Sequence, residues 1–267
     1  MALTQPPPAR NGLVWRQLDH WRARWRRTWR GSAITNFVLP VLYLLAMGVG
    51  LGSYVDDGGA TASLGGADYL DFIAPGLLAT AAMQNAVGAS TWPVMGAIRW
   101  DKTYYAMIAT PLRVRDILIG NLGLVTARLT LTAAVFWLVL ALFGIVVLPW
   151  AVLAVPAAVL VGLAHATPCF AYAAWLDRET GFMLLYRVGV VPMFLFSGAF
   201  FPVSQLPDAL EWLARLMPLY HGVELVRGLV LGTPELLGDL GHVGYLGVWC
   251  VGGFVLADRM LARRLEG

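Results

Sequence analysis

Two residues in apolar parts of the chain have side chains that serve as nucleophile and base in serine hydrolases. Ser90 follows Gly88 and Ala89 in one hydrophobic stretch, and His165 lies in another. A serine nucleophile needs a base within hydrogen-bonding distance and donors for the oxyanion. Nothing in the spacing brings Ser90 and His165 together, so an intramembrane serine protease is only a weak alternative. We therefore predict no catalytic residue in this chain.

A second group of polar residues lies within a single hydrophobic stretch, at roughly helical intervals. They are Gln84, Asn85, Ser90 and Thr91. Such a strip could line the path of a polar headgroup through an apolar protein. The alternative is that these side chains form hydrogen bonds between packed helices, as small polar residues do in membranes. The sequence predicts a substrate path here and leaves that alternative open.

A third group of charged residues follows two closely spaced prolines. Glu211 and Arg215 are separated by four residues with the acid first, which favours an ion pair on a helix. His221, Glu224 and Arg227 are spaced by three and so share one helical face. Charges near lipid are costly unless they are paired or hydrated. We predict a paired cluster that either stabilises this segment or faces a hydrated exit path.

Nucleotide and metal chemistry have no sequence signal. The only lysine, Lys102, does not lie in a Gly-x4-Gly-Lys-Ser/Thr phosphate-binding loop. Any ATP hydrolysis is therefore expected on another polypeptide. Cys169 and Cys250 both lie in apolar runs and are interpreted as packing residues. We predict neither a disulfide nor a metal site.

The composition indicates the class of protein that must position these groups. Of 267 residues, 58% are hydrophobic and only 13% are charged, whereas soluble domains carry about 25% charged residues. A membrane-spanning helix needs about 20 apolar residues. Six stretches qualify: roughly 33–52, 72–98, 117–147, 150–176, 181–201 and 240–257. We predict an all-α integral membrane protein with six transmembrane helices. No Asp or Glu lies in the first five spans, which disfavours an ion-coupled secondary transporter, kept here as the alternative function.

The distribution of basic residues predicts the orientation. Residues 10–30 carry seven arginines and one aspartate, and further basic residues lie in segment 99–116 and in the tail 258–267. The loop 53–71 carries four aspartates and no basic residue. Basic segments favour the cytoplasmic side, so we predict six spans with both termini cytoplasmic. Arg128 is expected near the cytoplasmic end of its span.

The N-terminal region is predicted to contain an interfacial helix. Residues 1–12 are rich in proline and are expected to be disordered. In residues 13–31, Trp21, Trp25 and Trp29 share one helical face, with most of the arginines off it. This pattern is typical of a helix lying in the membrane plane. A nucleic-acid-binding patch is the weaker interpretation, and a simple topology anchor is compatible with the first.

The longest internal cytoplasmic segment is predicted to hold a short helix over 100–111. Trp100, Tyr104, Met107 and Ile108 recur at helical spacing, and Pro111 ends the run because it restricts the preceding residue. A short rigid helix projecting from a membrane domain can be bound by a soluble partner. An interfacial connector without a partner is the alternative, and spacing alone does not decide between them.

Three segments carry a resemblance to a known family. They are FLFSGAFFPVSQLP (194–207), WLARLMPLYHGVELVRGLVLG (212–232) and MIATPLRVRDILIG (107–120). The chain resembles the permease subunits of type-2 ATP-binding-cassette exporters, and looks closest to the branch that exports nodulation lipo-oligosaccharides, with drug-resistance permeases as relatives. The order of elements is similar over nearly the whole chain. Where other members often have Glu–x–Gly–Thr, this chain has Trp100, Asp101, Lys102 and Thr103.

The resemblance implies an architecture and a set of partners. Segment 204–232 is expected to form a re-entrant helical hairpin in the outer leaflet, within a single six-span domain over 33–257. The prolines and polar residues implicated are Pro202, Pro207, Pro218, His221, Glu224 and Arg227. Docking of an ATPase subunit is expected at Trp100, Lys102, Tyr104, Met107, Ile108 and Pro111. A second permease subunit, the same or related, would complete the membrane domain in the plasma (inner) membrane. ATP and magnesium would be used by the ATPase partner, with no cofactor in this chain.

Overall fold

The computed structural model describes Val38, residues 41–51 and residues 68–267, and within these ranges all regular structure is helical. The helices are α1 (Leu44–Leu51, π-helical), α2 (Tyr69–Ser90), α3 (Trp92–Arg99), α4 (Thr103–Ile108), α5 (Val114–Leu142), α6 (Ala154–Trp175), α7 (Thr180–Phe196), α8 (Asp208–Leu216), α9 (Pro218–Val230) and α10 (Leu236–Glu266). Short 3-10 turns occupy Trp150–Leu153 and Val203–Gln205. The all-helical prediction is therefore confirmed for the described residues.

Four described helical segments are long and apolar enough to cross a membrane. They are Tyr69–Arg99, Val114–Leu142, Trp150–Trp175 and Leu236–Glu266, while α7 is apolar but shorter. Most of the predicted first span, 33–52, lies outside the described residues. The tail 1–12 and the predicted interfacial helix 13–31 with Trp21, Trp25 and Trp29 also lie outside them. Six spans therefore remain a prediction.

Helix α6 lies at the centre of the bundle, and α2, α5, α9 and α10 all pack against it. Its core-facing residues are mostly small, with eight buried alanines between Ala154 and Ala174 and a glycine at Gly162. Small residues let helix backbones approach closely where lipid provides no hydrophobic driving force. This helix is the scaffold against which the hairpin and the last span are positioned.

One predicted boundary is wrong. The third span was expected to reach Val147, but α5 ends at Leu142, and Gly144 then adopts a left-handed φ of 77°. Val147 instead donates its N–H to Val230 O at 2.9 Å, so this connection binds the end of α9. The last span was expected over 240–257 with a cytoplasmic tail over 258–267, and α10 is helical through both, from Leu236 to Glu266. Arginines are good helix formers, so the helix continues beyond its apolar part.

Two short helices occupy the segment predicted to form a hairpin. Pro207 immediately precedes α8, and Pro218 is the first residue of α9. Proline costs little at a first helical position because its missing N–H would have no partner there. The chain therefore breaks at Met217, as the prolines predict. Placement of this hairpin in the outer leaflet stays a prediction.

Helix α10 makes hydrogen bonds near both of its ends. Near its C-terminus, Tyr105 of α4 donates its hydroxyl to Arg264 O at 3.1 Å. In its N-terminal third, Tyr245 donates its hydroxyl to Leu216 O, the last residue of α8, at 2.6 Å. A single straight element therefore contacts both the α3–α5 connection and the hairpin.

Substitutions at two adjacent glycines of α10, Gly252 and Gly253, can test the close packing of α10 against α6. A Cβ at Gly253 would collide with Thr167 and Pro168, whereas a Cβ at Gly252 would meet no atom within 4 Å. We expect Gly253→Ala to destabilise the protein by about 1–3 kcal/mol, as overpacking does. The matched Gly252→Ala change should be neutral or slightly stabilising. Thermal unfolding of the detergent-purified variants measures both, and equal melting temperatures would contradict the packing described here.

Candidate functional site

A cavity of about 460 Å³ opens between α2, the start of α3, α5, α7 and Tyr43, a helical residue directly before α1. Gln84, Asn85 and Arg128 line it with polar groups, and Phe136 and Phe194 line it with aromatic rings. Cavities of about 300–1,000 Å³ with a mostly apolar wall and a few polar groups are typical of small-molecule sites. This cavity is the best candidate for a substrate site among the described residues.

The predicted polar strip of α2 is only partly on this cavity. Gln84 and Asn85 line it, and Asn85 donates its amide to Ala81 O at 2.9 Å. Ser90 and Thr91 are buried elsewhere. Thr91 follows the last residue of α2 and donates its hydroxyl to Val87 O at 2.9 Å, whereas Ser90 Oγ has no hydrogen-bond partner in the described structure. The four predicted residues therefore do not form one continuous strip: Gln84 and Asn85 line the cavity, whereas Ser90 and Thr91, at the end of α2, do not.

Arg128 lies on the cavity wall at the middle of α5. It is the central residue of α5, and Gln84 is the central residue of the continuous segment Tyr69–Arg99. Arg128 was expected near the cytoplasmic end of its span because the first turns were assigned to the interface, and that placement stays a prediction. A charge in the apolar part of a spanning helix is costly unless it is paired or hydrated. Such a residue is therefore a candidate functional group.

A signal for this cavity wall was present in the sequence. Arg128, Thr132 and Phe136 are spaced by four and so lie on one face of α5, and all three line the cavity. No described Asp or Glu lies within ion-pairing distance of Arg128. Among the described residues, Arg128 is therefore the charged group of the cavity lining, and the other polar groups are uncharged.

Arg227 connects the α8–α9 hairpin to the rest of the bundle through hydrogen bonds. Its guanidinium donates to Glu224 Oε1 at 2.6 Å, to Gly198 O at 2.6 Å and to Phe72 O at 3.3 Å, and it lies over the Phe72 ring at 4.0 Å. Gly198 has a left-handed φ of 82° in the turn after α7. One mostly buried side chain thus joins α9 to α2 and to that turn. The prediction of a paired cluster is confirmed for Glu224 and Arg227, while their role in export stays a prediction.

His221 contacts a different set of groups from Arg227, although both lie on α9. Its Nε2 donates to Arg215 O at 2.9 Å, because a carbonyl can only accept. Its Nδ1 then accepts from His242 Nδ1 of α10 at 2.8 Å, and the Tyr245 ring stacks on it at 3.9 Å. Burial lowers the pKa of His221 from its ordinary value of 6.5, and the nearby His242 lowers it further. Spacing along α9 could not reveal this contact between distant segments.

The predicted docking helix over 100–111 is shorter than expected. Lys102 has a left-handed φ of 49°, so Trp100 lies in the turn after α3 and not on α4. Helix α4 ends at Ile108, where Thr110 donates its hydroxyl to Met107 O at 2.6 Å, before Pro111 is reached. Grouping Trp100 with the helix was therefore wrong.

The side chains of this segment divide into buried and exposed sets. Tyr104 is buried and stacks on Phe170 with ring centroids 6.5 Å apart, and Met107 and Ile108 pack partly against the core. Their helical periodicity thus reflects packing within this chain. Trp100, Lys102 and Pro111 are exposed, so they form the part of the predicted docking set that is available to a partner.

An exposed ion-pair cluster lies at the same end of the bundle. Asp177, between α6 and α7, accepts from Arg264 at 2.7 Å and from Arg99 at 3.1 Å. Arg264 chiefly, and then Arg99, hold the pKa of the Asp177 carboxyl below its ordinary value. Asp177 therefore connects Arg99 of the segment 99–116 with Arg264 of the tail 258–267.

The geometry gives no support to a serine protease. Both ring nitrogens of His165 have other contacts, Nδ1 with Val161 O at 2.7 Å and Nε2 with Met193 Sδ at 3.2 Å. Ser90 Oγ makes no hydrogen bond to it. Cys169 and Cys250 are both free thiols. No group of three potential metal ligands occurs within the part of the chain that the structure describes.

Comparisons with known proteins agree on one family. Residues 13–231 match the family described as "ABC-2 type transporter". The chain is 32% identical over 253 residues to nodulation protein J of Rhizobium leguminosarum bv. trifolii, an alignment covering 92% of this chain and 94% of the relative. It is 29% identical to nodulation protein J of Rhizobium meliloti, with 94% of both chains covered. It is 32% identical to nodulation protein J of Sinorhizobium fredii, an alignment that covers 92% of this chain and 94% of the relative.

Arg227→Ala should destabilise the fold strongly. It would leave the half-buried Glu224 carboxylate and two backbone carbonyls without their donor, at a cost of about 3 kcal/mol. The control is Arg215→Ala, which removes an exposed ion pair with Glu211 and should cost about 0.5 kcal/mol or less. Melting temperature and yield after detergent extraction measure both. A similar loss for the two variants would show that Arg227 does not fasten the hairpin.

The His221–His242 contact predicts a pH dependence. The pKa of His221 is depressed in the folded protein, so its contribution to stability is complete above the ordinary histidine pKa and is lost as pH falls below it. We expect the melting temperature to fall between about pH 8 and about pH 5.5, and to fall less in His221→Gln. The difference in the pH dependence of the melting temperature between the wild type and His221→Gln gives the contribution of His221 alone. An identical pH slope in both would contradict the assignment.

Proposed function

Because this chain belongs to the ABC-2 type transporter family, we propose that it is the permease subunit of an ATP-driven exporter. It moves an amphiphile, such as a glycolipid, a lipid-linked saccharide or a hydrophobic drug, out of the cytoplasm or the inner leaflet. The family match over residues 13–231 is the observation that carries this proposal. The mixed lining of the cavity supports an amphiphile, because the polar Gln84 and Asn85 line it together with the apolar Leu77 and Phe194.

The energy for export comes from separate subunits in this proposal. The chain's single lysine, Lys102, is not part of a phosphate-binding loop, so ATP and magnesium are bound by ABC ATPase partners. A second permease subunit, identical or related, completes the membrane domain. Substrate reaches the cavity beside Gln84 and Asn85 and leaves past the α8–α9 hairpin, which lies in the outer leaflet.

The ion-pair cluster supports the proposed orientation. Arg99, Asp177 and Arg264 meet at one end of the bundle, although they come from three distant segments. Because basic residues favour the cytoplasmic side, this end faces the cytoplasm and the hairpin faces outward. Six spans with both termini in the cytoplasm of a plasma-membrane protein fit this arrangement.

ATPase subunits dock on the exposed part of the α3–α5 connection. Trp100 contributes most to the docking contact. It is 60% exposed, directly follows α3 and belongs to a residue type enriched at binding hot spots. Lys102 and Pro111 flank it, while Met107 and Ile108 support it from the core side. The buried Tyr104 positions α4 and does not itself contact the partner.

We expect Trp100→Ala to weaken ATPase binding about tenfold or more, since hot-spot truncations cost about 2 kcal/mol. The experiment co-expresses the chain with each ABC-type ATPase subunit of the source organism and measures co-purification and ATP hydrolysis. Trp212→Ala is the matched control, because Trp212 is 70% exposed but lies on α8 at the hairpin. That variant should retain normal ATPase binding.

Two outcomes separate the docking surface from the function itself. If the wild-type chain binds no ABC ATPase subunit, the exporter proposal fails. If the wild type binds one and Trp100→Ala binds it equally well, only the docking surface is misassigned. Size-exclusion profiles of each variant show whether the chain remains folded.

A further inference from the structure

We propose that the cavity between α2, α5 and α7 binds the anionic headgroup of an amphiphile, with Arg128 as its charged contact. This inference rests on the proposed function, because it specifies the class of amphiphile that the permease accepts. The headgroup chemistry is an oxyanion, that is, a phosphate, sulfate or carboxylate. The bound molecule is an amphiphile taken from the membrane and not a free inorganic anion.

The charge balance of the cavity is the first argument. Arg128 brings a permanent positive charge to the wall, and no described carboxylate is within ion-pairing distance of it. The other polar groups on the wall, such as Gln84, Asn85 and Thr80, carry no charge. A guanidinium presents five donors in a planar fork that matches the oxygens of an oxyanion. The unbalanced charge therefore favours an anionic group over a neutral sugar.

The depth of Arg128 is the second argument. It is the central residue of α5, so roughly 20 Å of helix separates it from either end. A charged side chain within the apolar part of a spanning helix is costly unless water or a counter-ion reaches it. Either water or an anion must then come to Arg128 within the cavity.

The remaining walls are the third argument. Leu77, Phe136 and Phe194 form an apolar side next to the polar one. Thr80 donates its hydroxyl to Leu77 O at 3.0 Å, so its proton is not available to an oxyanion and Arg128 is the principal donor on the wall. A headgroup can therefore bind Arg128 while its hydrocarbon part lies against Phe136 and Phe194. A volume of about 460 Å³ exceeds that of a single phosphate and admits a larger headgroup.

The test measures binding to the purified full-length chain in an uncharged maltoside detergent. The probe is radiolabelled lysophosphatidic acid, which carries one acyl chain and a phosphate, and its neutral match is the monoacylglycerol with the same chain. We expect lysophosphatidic acid to bind at least about tenfold more tightly than monoacylglycerol, the scale of one charge-assisted contact. Arg128→Gln should abolish that difference, and Arg128→Lys should retain part of it.

Two further variants keep the test independent of folding. Arg187→Gln removes another exposed arginine, in α7, that does not line the cavity, and should bind like the wild type. Gln84→Glu adds a negative charge to the cavity wall while leaving Arg128 intact, and should weaken lysophosphatidic acid binding. If Arg128→Gln misfolds by size exclusion, the Gln84→Glu result still decides the proposal.

Competition distinguishes the sources of the anion. Phosphatidylglycerol should displace the probe, whereas inorganic phosphate at millimolar concentration should not. Equal binding of the neutral and anionic lipids would overturn the proposal, as would wild-type binding by both Arg128→Gln and Gln84→Glu. Full displacement by inorganic phosphate would overturn the assignment to an amphiphile. Because no ATPase is present, failure here is distinguishable from failure of the exporter proposal, which rests on ATPase binding.

Discussion

The structure depends on satisfying backbone groups where helices stop inside a membrane protein. In lipid, a carbonyl without a donor costs several kcal/mol, so irregular backbone is tolerated only against protein or water. Arg227 meets this requirement for the turn after α7 by donating to Gly198 O and, beside it, to Phe72 O. Glu224 in turn balances the charge. Without this side chain, the hairpin and the turn would both present unpaired polar groups to an apolar environment.

Close approach of helices is the second requirement, and α6 meets it with small residues. Its alanines, Gly162 and the facing Gly253 of α10 let backbones pack without bulky side chains between them. The cost is that α6 offers few large side chains for the core. Aromatic residues such as Tyr104 and Phe170 fill the space at one end of this helix. The polar cavity is lined by α2, α5 and α7, and none of its lining residues comes from α6.

Much of this architecture could be predicted from local sequence, because hydrophobic length and proline positions are local properties. Pro207 and Pro218 predict the hairpin helices to within about a residue. The side chains that line the cavity with Arg128 could not be predicted, because Gln84 and Phe194 come from other helices and no local pattern pairs them with α5. Periodicity placed Tyr104 on an apolar face but could not show whether that face packs within the chain or on a partner. The His221–His242 contact joins distant segments, and no local pattern encodes it.

Helix α10 has a mechanical consequence that follows from its length and its two contacts. Its 31 residues form a rod of roughly 46 Å. Tyr105 is bonded near one end of this rod, and the Leu216 carbonyl is bonded through Tyr245 toward the other. A rigid tilt of about 5° about one end displaces the far end by about 4 Å for a rod of this length. Tyr245 lies 19 residues from Arg264, roughly 28 Å along the helix, so the same tilt moves the hairpin contact by roughly 2.5 Å.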